Sequence, residues 1–163
     1  MVIYHVTQQS YSVGTKLKAS SRSWYLDAIR QRGLGWVDQL LEDHRPFWAP
    51  SRSSSKFGFS ELSFCGAYAD AEQIAQPNFY KLSVLRYWQA PMIMVNRINR
   101  AGQNSVESAL FAKEYWRPRN KWHFLEVLFK SAVVVEKCEP PTAEDVRQAK
   151  RLYLEDHNRA IGM

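Results

Sequence analysis

The amino-acid sequence predicts an α+β fold, and three observations carry the prediction. Stretches with strand character do not alternate one for one with helical stretches; they run strand, helices, several strands with helices inserted, then a last helix. Apolar residues recur at helical spacing in Ser23–His44 and Asn104–Trp116. Pro140-Pro141 sets the terminal segment apart. The 163 residues suit one domain, residues 1–163, and 45% hydrophobic with 13% aromatic content is enough to build a core.

In chain order, Val2–Val6 reads as a first strand and Gln8–Ser21 as a polar loop with Gly14 in it. Ser23–His44 carries Trp24, Ile29, Leu34, Val37, Leu40 and Leu41 at helical spacing, interrupted at Gly33 and Gly35, so two helices or one broken helix are expected. Pro46 and Pro50 end it, because each disfavours helix in the residue before it. Lys56–Phe59 is a short strand, Cys65–Gln76 an Ala-rich helix, Asn78–Arg86 a strand and Pro91–Ile98 another. Asn104–Trp116 is a helix that Asn104 or Ser105 would cap. Trp122–Phe129 and Ala132–Val135 form a strand pair around Lys130-Ser131. The terminal helical segment, residues 141–160, is capped by Thr142, with Glu144 and Asp145 in its first turn where the helix dipole favours acids.

The formal charge is +6, with an isoelectric point of about 9.4. That suits an anionic partner such as nucleic acid, a nucleotide or an acidic protein surface, and equally a protein that is merely basic. Cys65 and Cys138 cannot make a disulfide framework, and no Cys or His cluster has metal spacing, so no metal is expected. The chain opens into a strand without a signal-like start, and no apolar stretch is long enough to span a membrane. The expected setting is the cytoplasm, or a target-cell cytosol after specialised secretion.

Four features have the character of a site. His5 and Thr7 share a face of the first strand with Ile3, while Val2, Tyr4 and Val6 take the other; a histidine at a strand end either holds a ligand or bonds a neighbouring carbonyl. Glu126 shares a strand face with Trp122, Phe124 and Leu128, so it is partly desolvated and either bonds a substrate or pairs with a cation. Pro50-Ser51-Arg52 supplies a hydroxyl for a ribose or a cap, and a guanidinium for a phosphate or carboxylate. Tyr68, Tyr80, Tyr115, Trp116 and Trp122 offer flat faces for stacking, although most must be core.

Taken together, Tyr4-His5-Val6-Thr7, Pro50-Ser51-Arg52, Ala67-Tyr68-Ala69-Asp70-Ala71 and Trp122–Leu128 resemble, in order and spacing, small members of the bacterial ADP-ribosyltransferase superfamily. The resemblance spreads over roughly residues 2–137. It implies a split β-sheet core with flanking helices, NAD as co-substrate, and an enzyme that cleaves the nicotinamide–ribose bond and transfers ADP-ribose to a protein or nucleic-acid acceptor. A toxin or effector role, with an inhibitor or antitoxin partner, would fit such an enzyme. Residue by residue, it implies that His5, supported by Thr7, holds a ribose of NAD and that Glu126 bonds the nicotinamide ribose 2′-hydroxyl. Tyr68 takes the middle catalytic position, with Ser60, Phe64 and Tyr80 as alternatives, and Ser51 and Arg52 join the cofactor site. Members that modify arginine resemble one another in an acid two residues before the glutamate; Phe124 stands there, so arginine is not the expected acceptor. The competing readings are an NAD glycohydrolase on the same fold, an RNA 2′-phosphotransferase (which Glu126 argues against) and a non-enzymatic nucleic-acid-binding module. The last would use Arg117, Arg119 and Lys121 beside Tyr115, Trp116 and Trp122.

Overall fold

A computed structural model describes residues 1–20 and 30–163. The strands are β1 (Val2–Thr7), β2 (Lys16–Lys18), β3 (Lys56–Phe59), β4 (Asn78–Ser83), β5 (Tyr87–Pro91), β6 (Leu125–Phe129) and β7 (Ser131–Cys138). The helices are α1 (Gly35–Asp43), α2 (Leu62–Ala71), α3 (Ile93–Ala101), α4 (Val106–Trp116) and α5 (Ala143–Ile161), with a 3-10 turn at Arg52–Ser54. The chain is therefore α+β. Its strands form one sheet in the order β2-β7-β4-β1-β3-β6-β5, and every neighbouring pair is antiparallel.

The join between β1 and β3 rests on a single ladder pair, Tyr4 opposite Phe59. Gly58 lies at this join because a Cβ there would sit 2.7 Å from both the Tyr4 carbonyl oxygen and Ile3 Cδ1. The sheet is thus nearly divided into β2-β7-β4-β1 and β3-β6-β5.

Directly opposed residues point to the same face of a sheet. Tyr4 opposes Phe59, Phe59 opposes Glu126 and Glu126 opposes Ala90, so these four share one face. That face packs on the helices. Val6, Phe59, Phe79 and Phe124 bury against Phe64 and Cys65 of α2 and Ala149 of α5. Ala90 and Leu128 join Val37 and Leu41 of α1, Ile93, Met94 and Ile98 of α3, and Tyr115 and Trp116 of α4. On the opposite face Ile3, Tyr80, Leu82, Val127, Phe129 and Val134 make a separate cluster with Leu17 of β2.

Several sequence expectations need correction. Pro91–Ile98 is not a strand: β5 ends at Pro91 and α3 begins at Ile93. Strand alternation would pair Val95 with Arg97 and Met94 with Asn96, leaving neither face apolar, whereas a helix buries Ile93, Met94 and Ile98 together. Gly102, with φ +87°, ends that helix and donates its N–H to the Ile98 carbonyl. The expected loop Gln8–Ser21 contains β2, which pairs with β7. The helix read as Cys65–Gln76 starts at Leu62 and stops at Ala71, before Gln73 and Gln76 take positive φ. Ordered strand pairing in the expected Trp122–Phe129 begins only at Leu125, and β7 runs past Val135 to Cys138.

The break in Ser23–His44 falls at Gly33, with φ +71°, and Gly35 starts α1. Residues 23–29 of that expected helix lie outside the described residues. Ser105, not Asn104, caps α4 by accepting the Ser108 N–H. Thr142 and Asp145 form the capping box of α5. No described helix is long and apolar enough to cross a membrane.

Candidate functional site

The helix-packed face of the sheet encloses a cavity of about 570 Å³ between α1, α2, α3, α5 and strands β3 and β6. Its apolar walls include Phe57, Phe59, Tyr68, Met92, Phe124 and Tyr153. Its polar lining includes Asp38, Arg52, Asn96 and Glu126, with Arg32 and Lys150 toward solvent.

Glu126 sits on β6 and is 3% exposed. Sheet alternation puts it among Phe124 and Leu128, so it must be satisfied locally. Arg52 Nη1 donates to its Oε1, and the Tyr115 hydroxyl donates to the same oxygen at 2.5 Å. Oε2 has no hydrogen-bond partner among the described residues, and Glu126 is part of the cavity lining.

Arg52 is 4% exposed, and its Nε donates to Asp38 Oδ1 at 3.0 Å. Its Nη1 also donates to the Tyr115 oxygen at 2.7 Å, and its Cζ lies 4.9 Å from the centroid of the Phe57 ring. Two carboxylates, one guanidinium and one phenol thus form a buried network along the cavity floor. Burial pushes the Tyr115 hydroxyl well above its usual pKa; Glu126 pushes the same way and Arg52 opposes it. The phenol therefore stays protonated and donates to Glu126.

Two acceptors on the cavity lining are buried without a partner among the described residues: Asp38 Oδ2 and Asn96 Oδ1. A buried acceptor left unsatisfied costs roughly 1–3 kcal/mol, more when charged.

The structure brings Glu126, Arg52 and Tyr68 to one cavity. It does not bring His5 there. Because Tyr4 shares the Glu126 face, His5 takes the opposite one, and its ring meets Phe129 edge-on at 6.3 Å. Its Nδ1–H donates to the Phe57 carbonyl at 2.6 Å. Desolvation lowers its pKa to about 4, with Lys56 adding to the fall and the Phe57 bond opposing it, so the ring is neutral at neutral pH. The expectation that His5 and Glu126 hold NAD in one site is corrected on this ground: an odd step along β1 turns His5 away from the helices.

Thr7 shares the His5 face and accepts the Gln9 N–H through Oγ1 at 3.2 Å. Ser51 does not line the cavity either; its hydroxyl donates to Glu42 Oε2 at 2.9 Å and meets Ser53 Oγ at 2.8 Å, which fixes the turn that delivers Arg52. Of the alternatives to Tyr68, Tyr80 is buried on the far face, accepts the Tyr11 N–H at 2.8 Å and donates to the Gln9 carbonyl. Phe64 stacks on Phe124 in the core, and Ser60 is outside the lining. Tyr115, Trp116 and Trp122 are buried and offer no free face; the two indole N–H groups donate to the Leu41 carbonyl and to Glu114.

Sequence reasoning missed Asp38 and Asn96, and it singled out Tyr115 for its flat face rather than for the hydroxyl it gives to Glu126. For Asp38 a signal existed: it falls on the stripe of Leu34, Val37 and Leu41, where an acid must find a cation. Asn96 gave none, because its segment was read with strand periodicity. Among the described residues no group of three His, Cys, Asp or Glu side chains is placed to hold a metal ion. No protein-family model matches this sequence, and no curated protein matches it either.

Proposed function

We propose that this chain is an NAD-dependent mono-ADP-ribosyltransferase working from the Glu126 cavity. One observation carries the reading: a buried carboxylate lining a cavity with aromatic walls has one oxygen fixed by Arg52 and Tyr115 and the other without a hydrogen-bond partner among the described residues. The cavity volume lies within the roughly 300–1,000 Å³ of small-molecule sites.

In this reading the nicotinamide–ribose end of NAD enters the cavity, whose aromatic walls include Tyr68, Phe57 and Phe59. The ribose 2′-hydroxyl donates to Glu126 Oε2. Arg32 and Lys150, paired with Glu72 and Asp70, stand on the exposed part of the lining, and the diphosphate would have to exchange with those carboxylates to bind them.

The bond from C1′ to the nicotinamide nitrogen breaks, and nicotinamide leaves neutral with the bonding pair. Positive charge grows on C1′ and the ring oxygen, and the fixed carboxylate stabilises it in a site poor in water. The acceptor's nucleophile then bonds to C1′ and loses its proton. Phe124, buried against Phe64 two residues before Glu126, offers no second carboxylate to steer a guanidinium, so the acceptor is a macromolecular group other than arginine. With water as acceptor the same steps give hydrolysis of NAD.

Nicotinamide release from NAD tests the reading, with product analysis to separate transfer from hydrolysis. Glu126→Gln keeps the shape and removes the charge; a loss of about 10²–10³-fold in turnover is expected, the scale for one lost stabilising group at a developing charge. Unchanged release in Glu126→Gln, or no NAD binding by the wild type, would falsify the proposal.

A further inference from the structure

The turn after α1 carries two aromatic side chains that the fold leaves outside. Phe47 is 88% exposed and Trp48 57%, and their rings meet edge-to-face at 4.8 Å. Arg117, the residue that ends α4, lays its guanidinium 5.4 Å from the Trp48 ring centroid. Arg117 opens an exposed run through Pro118, Arg119, Asn120 and Lys121. None of its three cations has an acidic partner among the described residues.

This run is held in a fixed shape. Glu114, 5% exposed, accepts the backbone N–H groups of Arg119 at 2.9 Å and Asn120 at 3.0 Å, the Asn120 side-chain amide at 3.2 Å and the Trp122 indole at 2.9 Å. A buried carboxylate thus organises a basic loop from within, while the loop's own charges face solvent. Two large aromatic rings exposed side by side and rimmed by charge have the character of an interaction site.

We infer that the Phe47–Trp48 pair and the Arg117–Lys121 loop form a binding surface for single-stranded nucleic acid. Flat apolar rings set beside cations match a strand in which flat bases alternate with phosphates. In a duplex the base faces are already stacked, so the ring pair selects the single strand. The net charge of +6 attracts the same partner. An acidic protein would match the cations but leave the two rings unused. The surface differs in location and residues from the Glu126 cavity, and its binding requires no NAD.

The test is fluorescence anisotropy of short labelled oligothymidylate, oligouridylate and a duplex of equal length, without NAD, at several salt concentrations. Both single strands are expected to bind more tightly than the duplex, and the comparison between them separates DNA from RNA as the preferred strand. Trp48→Ala is expected to weaken binding by roughly 5- to 100-fold with little change in salt slope, the effect of one lost stacking platform. The triple variant Arg117→Gln, Arg119→Gln, Lys121→Gln is expected to flatten the slope by about 2, since each phosphate contact on a single strand contributes about 0.7. Circular dichroism confirms that these surface variants remain folded. Absence of single-strand binding at low salt, equal affinity for the duplex, or full affinity in Trp48→Ala would overturn the inference.

Discussion

Acidification should destabilise this fold through His5, and the size of the effect follows from where β1 puts the ring. The imidazole is enclosed by the Phe57 carbonyl, the Phe129 ring edge, Tyr80 opposite it on β4 and the nearby Lys56 charge. Its folded pKa of about 4 lies below the 6.5 of a free histidine. Between those values the unfolded chain binds a proton that the folded chain refuses, so stability falls as pH drops from 6.5 toward 4 and changes no further below. At 1.36 kcal/mol per unit of pKa the full loss is about 3 kcal/mol, and at pH 5 it has reached about 2 kcal/mol. The assay is urea unfolding of the wild type and of His5→Asn, whose side-chain amide replaces the Nδ1–H donor without titrating, each near pH 7.5 and pH 5. Carboxylates contribute equally to both proteins, so the wild type should lose about 2 kcal/mol more than the variant. Equal losses would refute the placement of His5 in a dry environment. The same variant bears on function: because the ring points away from the cavity, NAD affinity in His5→Asn should stay within about twofold. A large loss of affinity in a folded variant would mean that the ligand reaches the other face of the sheet.

Other perturbations have equally definite outcomes. Arg52→Met strips the shared cation from Asp38 and Glu126 and should cost about 3–5 kcal/mol in chemical denaturation, part of which Arg52→Met with Glu126→Gln should recover. Asn96→Leu should leave the melting temperature unchanged or higher in a thermal scan, since it removes a buried acceptor that has no partner among the described residues. Asp156→Ala removes the fully buried carboxylate that accepts the N–H groups of His123 and Phe124, and should cost about 3 kcal/mol and loosen the start of β6 in hydrogen exchange. Gly58→Ala drives a methyl against the Tyr4 carbonyl and Ile3 and should lower stability by about 1–3 kcal/mol, with the join between β1 and β3 opening first in hydrogen exchange.

Much of the local structure was legible because it is written in short-range chemistry. The Thr142 capping box, the prolines after α1, the alternation in β1 and the period of α4 each need only a few neighbouring residues to specify them. The cavity residues Glu126, Arg52 and Tyr68 were found for a related reason. A carboxylate in an apolar strand, an arginine after a Pro-Ser turn and a tyrosine on an Ala-rich helix each stand out against their own surroundings. Where the pattern was ambiguous, it misled: the apolar run from Pro91 fits neither period cleanly, and only the packing of Ile93, Met94 and Ile98 under α4 decided for helix.

By itself, then, the sequence determined an α+β chain of basic charge, most of its element types, and which polar groups sit in apolar company. Tertiary structure alone decided which of those groups meet. Alternation places His5 and Glu126 each on a face of its own strand, but the faces are related only through β3, and the single Tyr4–Phe59 pairing puts them on opposite sides. The same long-range packing carried Asp38 of α1 and Tyr115 of α4 onto Arg52 and Glu126, and buried Trp116 and Trp122 while leaving Phe47 and Trp48 outside. Register and burial are properties of how segments distant in sequence come together, and a local pattern carries no term for that.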